Sequence, residues 1–311
     1  MKRFALCLAV LLVLVTPALL MSQLRGQAKI LGVVLDDETG EPIEGVTVTV
    51  YFKDADTAVT PSPVTDKDGK WKALFIRGGL WSLDFQKPGY LPQKISHRVV
   101  FEMGVKVPEL EVRLKKIQGV VVKSDVLKDM EKADSLYNEK KYPEAIAAYE
   151  SILAKNPDFY FIGKNIGDCY FAMQDYEKAV ASYLPVNEKQ PDRGDVMIAI
   201  ANAYNNWGKT DEAIAWYQKV PVSGIRDVNS AYNTGVVFAN SGNQADAVKF
   251  FQKAVEIDPE FADGYYQLGL CQVAVGATPE ALAALDKFIS LAPDSPDAPT
   301  AKAIVDTLTK K

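Results

Sequence analysis

Few side chains in this sequence can do chemistry on a bound molecule, and histidine is the scarcest of them. His97 is the only imidazole, so a Ser-His-Asp triad or a His-ligated metal has to use it. It stands in Ile95-Ser96-His97-Arg98-Val99, an alternating stretch that reads as a strand, where a half-exposed strand residue is the expected role. Of the three cysteines, Cys7 falls in an N-terminal apolar run and leaves Cys169 and Cys271. These two occupy the same place in a repeat described below, three repeats apart. Helices packed about 8–10 Å apart would separate the thiols by roughly 25–30 Å, whereas a disulfide needs α-carbons within about 7 Å. Both therefore read as buried small hydrophobes. Asp66-Lys67-Asp68-Gly69 opens like a calcium loop, but a full loop closes with Glu at its twelfth position. Arg77 stands there, so a tight hairpin turn with positive φ at Gly69 is expected. No Gly-rich phosphate loop, nucleophile elbow or metal-ligand spacing is present, so the expected protein is not an enzyme and needs no cofactor or metal.

The elements that would carry a binding function are better marked. With 48% apolar and 24% charged residues, the composition is that of globular domains and excludes a disordered chain. Met1-Lys2-Arg3 followed by the unbroken apolar run Phe4–Val15 has the layout of a secretory signal. Gly26-Gln27-Ala28 offers small residues at the cleavage-critical positions, so residues 1–28 are expected to be the signal, with cleavage after Ala18 as the second choice. Phe4 to Met21 spans 18 mostly apolar residues, enough for a membrane anchor if the segment stays uncleaved. Thr16 and Pro17 interrupt it, which favours cleavage and a periplasmic or secreted protein. Removing 28 residues leaves 32 basic against 40 acidic side chains, a net charge of −8. Such a surface repels phosphate backbones, and nucleic acid is a poor partner.

Residues 29–117 read as a small all-β domain. Lys29–Leu35 and Val46–Tyr51 are rich in β-branched residues, the second alternating strictly. Further strands are expected at Trp71–Ile76, Leu80–Phe85, Gln93–Phe101 and Leu110–Leu114. Turn signals separate them, and such spacing predicts an antiparallel sandwich with Trp71, Trp81 and Phe85 in its core. Gly32-Val33-Val34, Thr39-Gly40-Glu41-Pro42-Ile43-Glu44-Gly45-Val46, Thr65-Asp66-Lys67-Asp68-Gly69-Lys70-Trp71 and Lys87-Pro88-Gly89-Tyr90 occur in an order that resembles the carboxypeptidase regulatory-like domain, a transthyretin-type sandwich. That resemblance implies an accessory folding or binding module without catalysis of its own.

Residues 118–125 read as a linker, and beyond them a 34-residue period runs without a slip. Counting repeats at 126–159, 160–193, 194–227, 228–261 and 262–295, position 20 is Ala145, Ala179, Ala213, Ala247 and Ala281. Position 8 is Ala133, Gly167, Ala201, Gly235 and Gly269, and position 24 is Tyr149, Tyr183, Tyr217, Phe251 and Leu285. Small residues at 8 and 20 let two helices approach closely, and the large residues at 24 fill the space beside that contact. Pro157, Pro191, Pro259 and Pro293 end the second helix of four repeats. Ile225 takes that place in the third, where Pro221 ends the helix early and predicts a looser junction; Pro185 is expected to kink the second helix of repeat two. Residues 296–311 read as a cap helix packing through Ala298, Ala301, Ile304, Val305 and Leu308. This pattern resembles the tetratricopeptide repeat over 126–293, which implies an all-α solenoid of five helix pairs.

In that family, positions 2, 5, 6, 9, 12 and 13 tend to face the concave side. The resemblance therefore places Phe161, Lys164, Asn165, Asp168, Phe171, Asn202, Asn205, Asn206, Asn229, Tyr232, Asn233, Asn240, Tyr266 and Gln267 on a groove. An Asn amide donates and accepts at once, so it can pair with the backbone of an extended peptide of any sequence, with Phe161, Tyr232 and Tyr266 as apolar anchors. Lys164 without an arginine departs from the clamp by which chaperone-binding members hold a C-terminal carboxylate. The expected function is an exported interaction scaffold that grips a protein or peptide of the envelope or extracellular space. The alternative is a cell-wall or carbohydrate-binding protein using Trp71 or Trp81, if exposed, for sugar stacking.

Overall fold

Alternation along residues 28–117 builds two small sheets that face one another. The computed structural model describes residues 28–52, 58–59, 61–100, 107–117 and 124–310, so the expected signal lies outside the described residues except for Ala28. The strands are β1 (Ala28–Asp36), β2 (Thr47–Phe52), β3 (Lys70–Ile76), β4 (Gly79–Gln86), β5 (Gln93–Val99) and β6 (Glu109–Leu114). They form sheets of order β3-β1-β6 and β2-β4-β5. Ala28 is already part of β1, buried and paired with Ile76. Inward residues alternate as the pleat requires, with Val48 and Val50 on β2 and Leu83 and Phe85 on β4 fully buried. Trp71 and Phe85 meet edge to face at 5.5 Å in this core.

The strand pairs are antiparallel save one: β6 runs parallel to β1. The chain leaves β5 in one sheet and crosses to the other before β6, and a crossover is what parallel pairing requires. The turn at Asp36 ties two distant motifs together. Its Oδ1 accepts from the backbone N–H groups of Glu38 and Thr39 at 2.9 and 3.0 Å, and its Oδ2 accepts from the Tyr90 hydroxyl at 3.1 Å. These bonds, Thr39's first, hold the Asp36 carboxyl below the usual carboxylate range despite partial burial. At Asp66–Gly69 the Asp66 Oδ1 accepts from Asp68 and Lys70 N–H, and Gly69 has the expected positive φ, +70°. The tight turn leads from Val64, bridged to β2, into β3 of the other sheet, so it is not the expected hairpin.

Among the described residues the second half is eleven α-helices. They are α1 (Ser124–Asn138) and α2 (Tyr142–Lys155), α3 (Ile162–Ala172) and α4 (Tyr176–Lys189), α5 (Gly194–Asn206) and α6 (Thr210–Tyr217), α7 (Val228–Asn240) and α8 (Gln244–Ile257), α9 (Ala262–Ala274) and α10 (Thr278–Leu291), then α11 (Ala298–Thr309). Pro185 lies inside an unbroken α4. The small residue at position 8 is a packing requirement: a Cβ at Gly167 would lie 2.3 Å from the Tyr183 ring. Position 15 carries the turn between paired helices in every repeat. Lys140, Gln174, Gly208, Gly242 and Gly276 all have φ between +60° and +81° there, the left-handed cap that closes a helix C-terminus. The third repeat is irregular as its Pro221 predicts: α6 stops at Tyr217 and a short 3₁₀ turn follows at Val222–Gly224. Ile225 is buried in the solenoid core and Asp227 caps α7 by accepting from Ser230 N–H, but α6 and α7 pack on each other far less than the helices at the other junctions do, the looser junction that Pro221 predicts. On α11, Ala298 and Ala301 are buried, with Ile304 and Val305 packed beside Ala301.

The sandwich lies along the turns that join successive repeats. Leu91 and Ile117 pack against Phe159 and Phe161 at the first junction. At the third, the Ser96 N–H donates to the Arg226 carbonyl at 2.9 Å and its hydroxyl accepts from Val228 N–H at 2.9 Å. At the fourth, the Arg98 guanidinium grips Asp258 with both nitrogens, Nε to Oδ1 at 2.8 Å and Nη2 to Oδ2 at 2.6 Å, and reaches Glu260 at 3.0 Å. Ser96 and Arg98 are two residues apart on one face of β5, about 7 Å; the long Arg98 side chain supplies the rest of one repeat's rise. Asp258 is 1% exposed, so this pair is desolvated and depends on its fork geometry.

Candidate functional site: a two-walled trough

Between the two halves runs a trough of about 1730 Å³. One wall is the concave side of repeats one to three, the other the outer face of β2-β4-β5. Strand register lays out the second wall in rows: Thr49, Asp84 and Lys94 side by side, then Tyr51, Ser82 and Ser96. The helical wall presents Met130, Asp134 and Tyr137 from α1, Phe161 and Lys164 to Phe171 around α3, and Asp195, Ile198 and Asn202 from α5. These are the positions that the repeat pattern assigns to the concave side.

Inside each of the first three repeats a hydroxyl fixes the centre of that wall. Position 24 on the second helix donates to position 9 on the first: Tyr149 to Asp134 at 2.5 Å, Tyr183 to Asp168 at 2.9 Å, Tyr217 to Asn202 at 2.5 Å. In repeats four and five both members are apolar, Val236 with Phe251 and Leu270 with Leu285. The concave wall is thus polar over three repeats and apolar at its centre over two. Burial raises the pKa of all three tyrosines, and charge from Asp134 and Asp168 adds to it for Tyr149 and Tyr183, so the phenols stay donors.

Asp84 and Asp134 face this space from opposite walls. Burial raises the pKa of each, and the charges of Asp84 and Glu131 push Asp134 further. Lys164 is drawn the other way: burial disfavours its charge, but Asp168 at 2.8 Å and Asp195 outweigh that and raise its pKa. Arg193 pairs with Asp195 through two bonds.

The residues expected on the groove divide. Phe161, Lys164, Asn165 and Asn202 line the trough together with Asp168 and Phe171. Lys164 is committed to Asp168, which occupies the one lysine a carboxylate clamp would use. Asn205, Asn206, Asn229, Tyr232, Asn233, Asn240 and Tyr266 lie outside it. Asn206 is exposed and donates to the Asn202 carbonyl; Asn205 and Asn229 are half-buried, and Asn233 and Asn240 are exposed. Tyr232 packs on Phe251 and Phe261 with ring centroids 5.5 and 5.1 Å apart, and Tyr266 on Phe288 at 4.8 Å. Both rings serve contacts within the solenoid. Sequence reasoning missed the sandwich wall and the tyrosine–carboxylate pairs, although the matched change at positions 9 and 24 was a readable signal.

One expectation about chemistry changes, the exposed tryptophan of the sugar-binding alternative. Trp71 and Trp81 are each only 4% exposed, so neither presents a ring for sugar stacking; β-sandwich alternation turned both inward. His97 is half-buried beside Trp81 on the neighbouring strand, and burial lowers its pKa. Cys169 and Cys271 are buried free thiols. Among the described residues no group of His, Cys, Asp and Glu is arranged to hold a metal ion, and no helix is long and apolar enough to cross a membrane.

Comparison with known proteins agrees with both halves. Residues 29–115 match the carboxypeptidase regulatory-like domain; residues 136–193, 194–220 and 232–296 match tetratricopeptide repeat families. No curated protein matches the sequence. Similar solved structures include YrrB, a tetratricopeptide repeat protein with an unusual peptide-binding site, at 23% identity over 58% of this chain and 92% of that one, TM-score 0.46. MamA from Desulfovibrio magneticus RS-1 is 16% identical over 56% and 100%, TM-score 0.46. A tetratricopeptide repeat protein from Parabacteroides merdae ATCC 43184 is 17% identical over 61% and 75%, TM-score 0.46. The chain carries a carboxypeptidase regulatory-like domain followed by tetratricopeptide repeats.

Proposed function

We propose that this protein is an exported, non-enzymatic scaffold that holds an extended segment of a partner protein in the trough. The tetratricopeptide repeats support protein–protein interaction in general terms. What carries the finer reading is the two-walled trough of about 1730 Å³, whose walls combine polar groups with the apolar faces of Phe161, Phe171 and Ile198. An extended chain rises about 3.3 Å per residue, so a segment of about ten residues spans three repeats stacked roughly 10 Å apart. Export rests on the Met1-Lys2-Arg3 start and the apolar run after it. Cleavage after Ala18 would leave β1 whole, whereas cleavage after Ala28 would remove its first residue.

The test plugs the trough. Asn165→Trp and Ala199→Trp add bulk at position 6 of repeats two and three, both on the trough; Asn233→Trp adds it at position 6 of repeat four, outside. Partners recovered with tagged mature protein from envelope extract should disappear with the first two variants and persist with the third. Recovery of the same partners by all three removes the trough from the account. N-terminal sequencing of the protein purified from an envelope fraction tests export directly.

A further inference from the structure

We propose that the trough selects a cationic segment: the partner sets a lysine or arginine side chain between Asp84 of the sandwich and Asp134 of the first repeat. This rests on the trough reading above and adds the chemistry of its occupant. Many charges around the trough are already answered. Lys164 pairs with Asp168, Arg193 with Asp195, Lys94 with Asp227, Arg113 with Glu111, Lys115 with Asp192 and Lys253 with Glu256. Asp84 and Asp134 have no ion pair among the described residues. Among the described residues Asp84 accepts from the Gln86 amide at 2.8 Å, and Asp134 from the Tyr149 hydroxyl. Both are neutral donors; Lys94 and Lys164 also act on Asp84, but each is paired elsewhere, with Asp227 and Asp168, so two carboxyls face a partly desolvated space from opposite walls without a contacting cation.

A second observation comes from the neighbouring row of the sheet. Ser82 stands on the same face of β4 as Asp84, between Tyr51 and Ser96, both of which line the trough. It is 6% exposed and its hydroxyl has no hydrogen-bond partner. Buried hydroxyls are ordinarily satisfied, and this one lies one pleat along from the carboxylate, beside two residues that line the trough. Burial holds the carboxyls of Asp84 and Asp134 above their usual range, and repulsion adds to it, from Asp168 on Asp84 and from Asp84 on Asp134, the condition that an incoming ammonium or guanidinium relieves. A partner presenting Asp or Glu at this place would add a third like charge and be rejected.

The probe is a fluorescein-labelled alternating alanine–lysine peptide of about ten residues, long enough for three repeats, with its alanine–glutamate counterpart as comparison. Binding to the full mature protein is read by anisotropy at about 50 mM and about 300 mM salt, either side of physiological screening. The lysine peptide should bind, weaken with salt, and weaken at least about tenfold in Asp84→Asn/Asp134→Asn, the loss of roughly one charge-assisted contact. Asp211→Asn/Glu212→Gln, outside the trough on α6, should change nothing. Asparagine already serves at position 9 of repeat three, so the double variant is expected to fold, and its melting temperature checks this. Equal affinity of wild type and the double variant, or equal binding of the glutamate peptide, overturns the inference. The partner recovered in the plugging experiment separates the two claims. If it still binds the double variant at full strength while tryptophan plugs exclude it, the trough stands and the cation preference falls; if the plugs have no effect either, both fall.

Discussion

The hydroxyl of Tyr183 donates to Oδ1 of Asp168 at 2.9 Å, joining the second helix of repeat two to the centre of its concave wall. The same carboxylate accepts from Lys164 on its other oxygen at 2.8 Å. Tyr183→Phe should therefore lower stability by about 1 kcal/mol, the net worth of a hydrogen bond whose acceptor keeps one partner. Phe251 occupies the equivalent place in repeat four without a hydroxyl, so the fold tolerates the ring alone. Chemical denaturation measures the loss; a change within error would mean that Asp168 is held by Lys164 and solvent only.

Asp134→Asn should stabilise the protein at neutral pH. Asn202 accepts from Tyr217 in repeat three, so the amide can accept from Tyr149 in the same way. A carboxyl whose folded pKa is raised costs stability wherever it is ionised, and that cost fades as pH falls through the raised value toward the ordinary one. The variant's melting temperature should exceed wild type near pH 7 and converge with it in acid, below the ordinary carboxylate value of about 4. Equal melting at both pH values contradicts the burial of this charge.

Lys140 and Gln174 hold the left-handed conformation that Gly208, Gly242 and Gly276 hold in the other repeats. A side chain there costs roughly 1 kcal/mol of backbone strain, offset in part by the greater unfolded entropy of glycine. Lys140→Gly and Gln174→Gly should each gain about 0.5 kcal/mol. Destabilisation in both would show that their side chains, not their backbone, matter to the turn.

Arg98→Ala should do the reverse at the interface of the two halves. It leaves Asp258, 1% exposed, without its fork, at a cost of about 3 kcal/mol. Lysine restores charge without the two-pronged geometry and should recover only part. Limited proteolysis and thermal melting of the three proteins read the effect; an unchanged Arg98→Ala profile would mean the sandwich is held by Ser96, Leu91 and Ile117 alone.

Much of this architecture was legible because it is local. The 34-residue period fixed the helix pairs, their small contacts at positions 8 and 20 and their proline stops, and alternation placed Val48, Val50 and Phe85 inside. The trough was half legible. Helical periodicity pointed Phe161, Lys164, Asn165 and Asn202 to the concave side, yet it cannot say that another domain closes over three repeats and leaves Asn233 and Asn240 outside. That depends on Ser96 and Arg98, spaced as ordinary strand residues, meeting Arg226 and Asp258, which read as ordinary turn residues. The direction of β6 was hidden for the same reason: a strand's sequence carries no sign of whether its partner runs with it or against it.

The most direct test of the central claim is site-specific photo-cross-linking. A benzophenone side chain in place of Phe171, on the trough, should join the mature protein to a partner through one contiguous stretch of that partner, while the same group in place of Asn240, on the exposed face, should yield little. Equal yields from both places, or adducts scattered over the partner's surface, would contradict a trough that holds an extended chain.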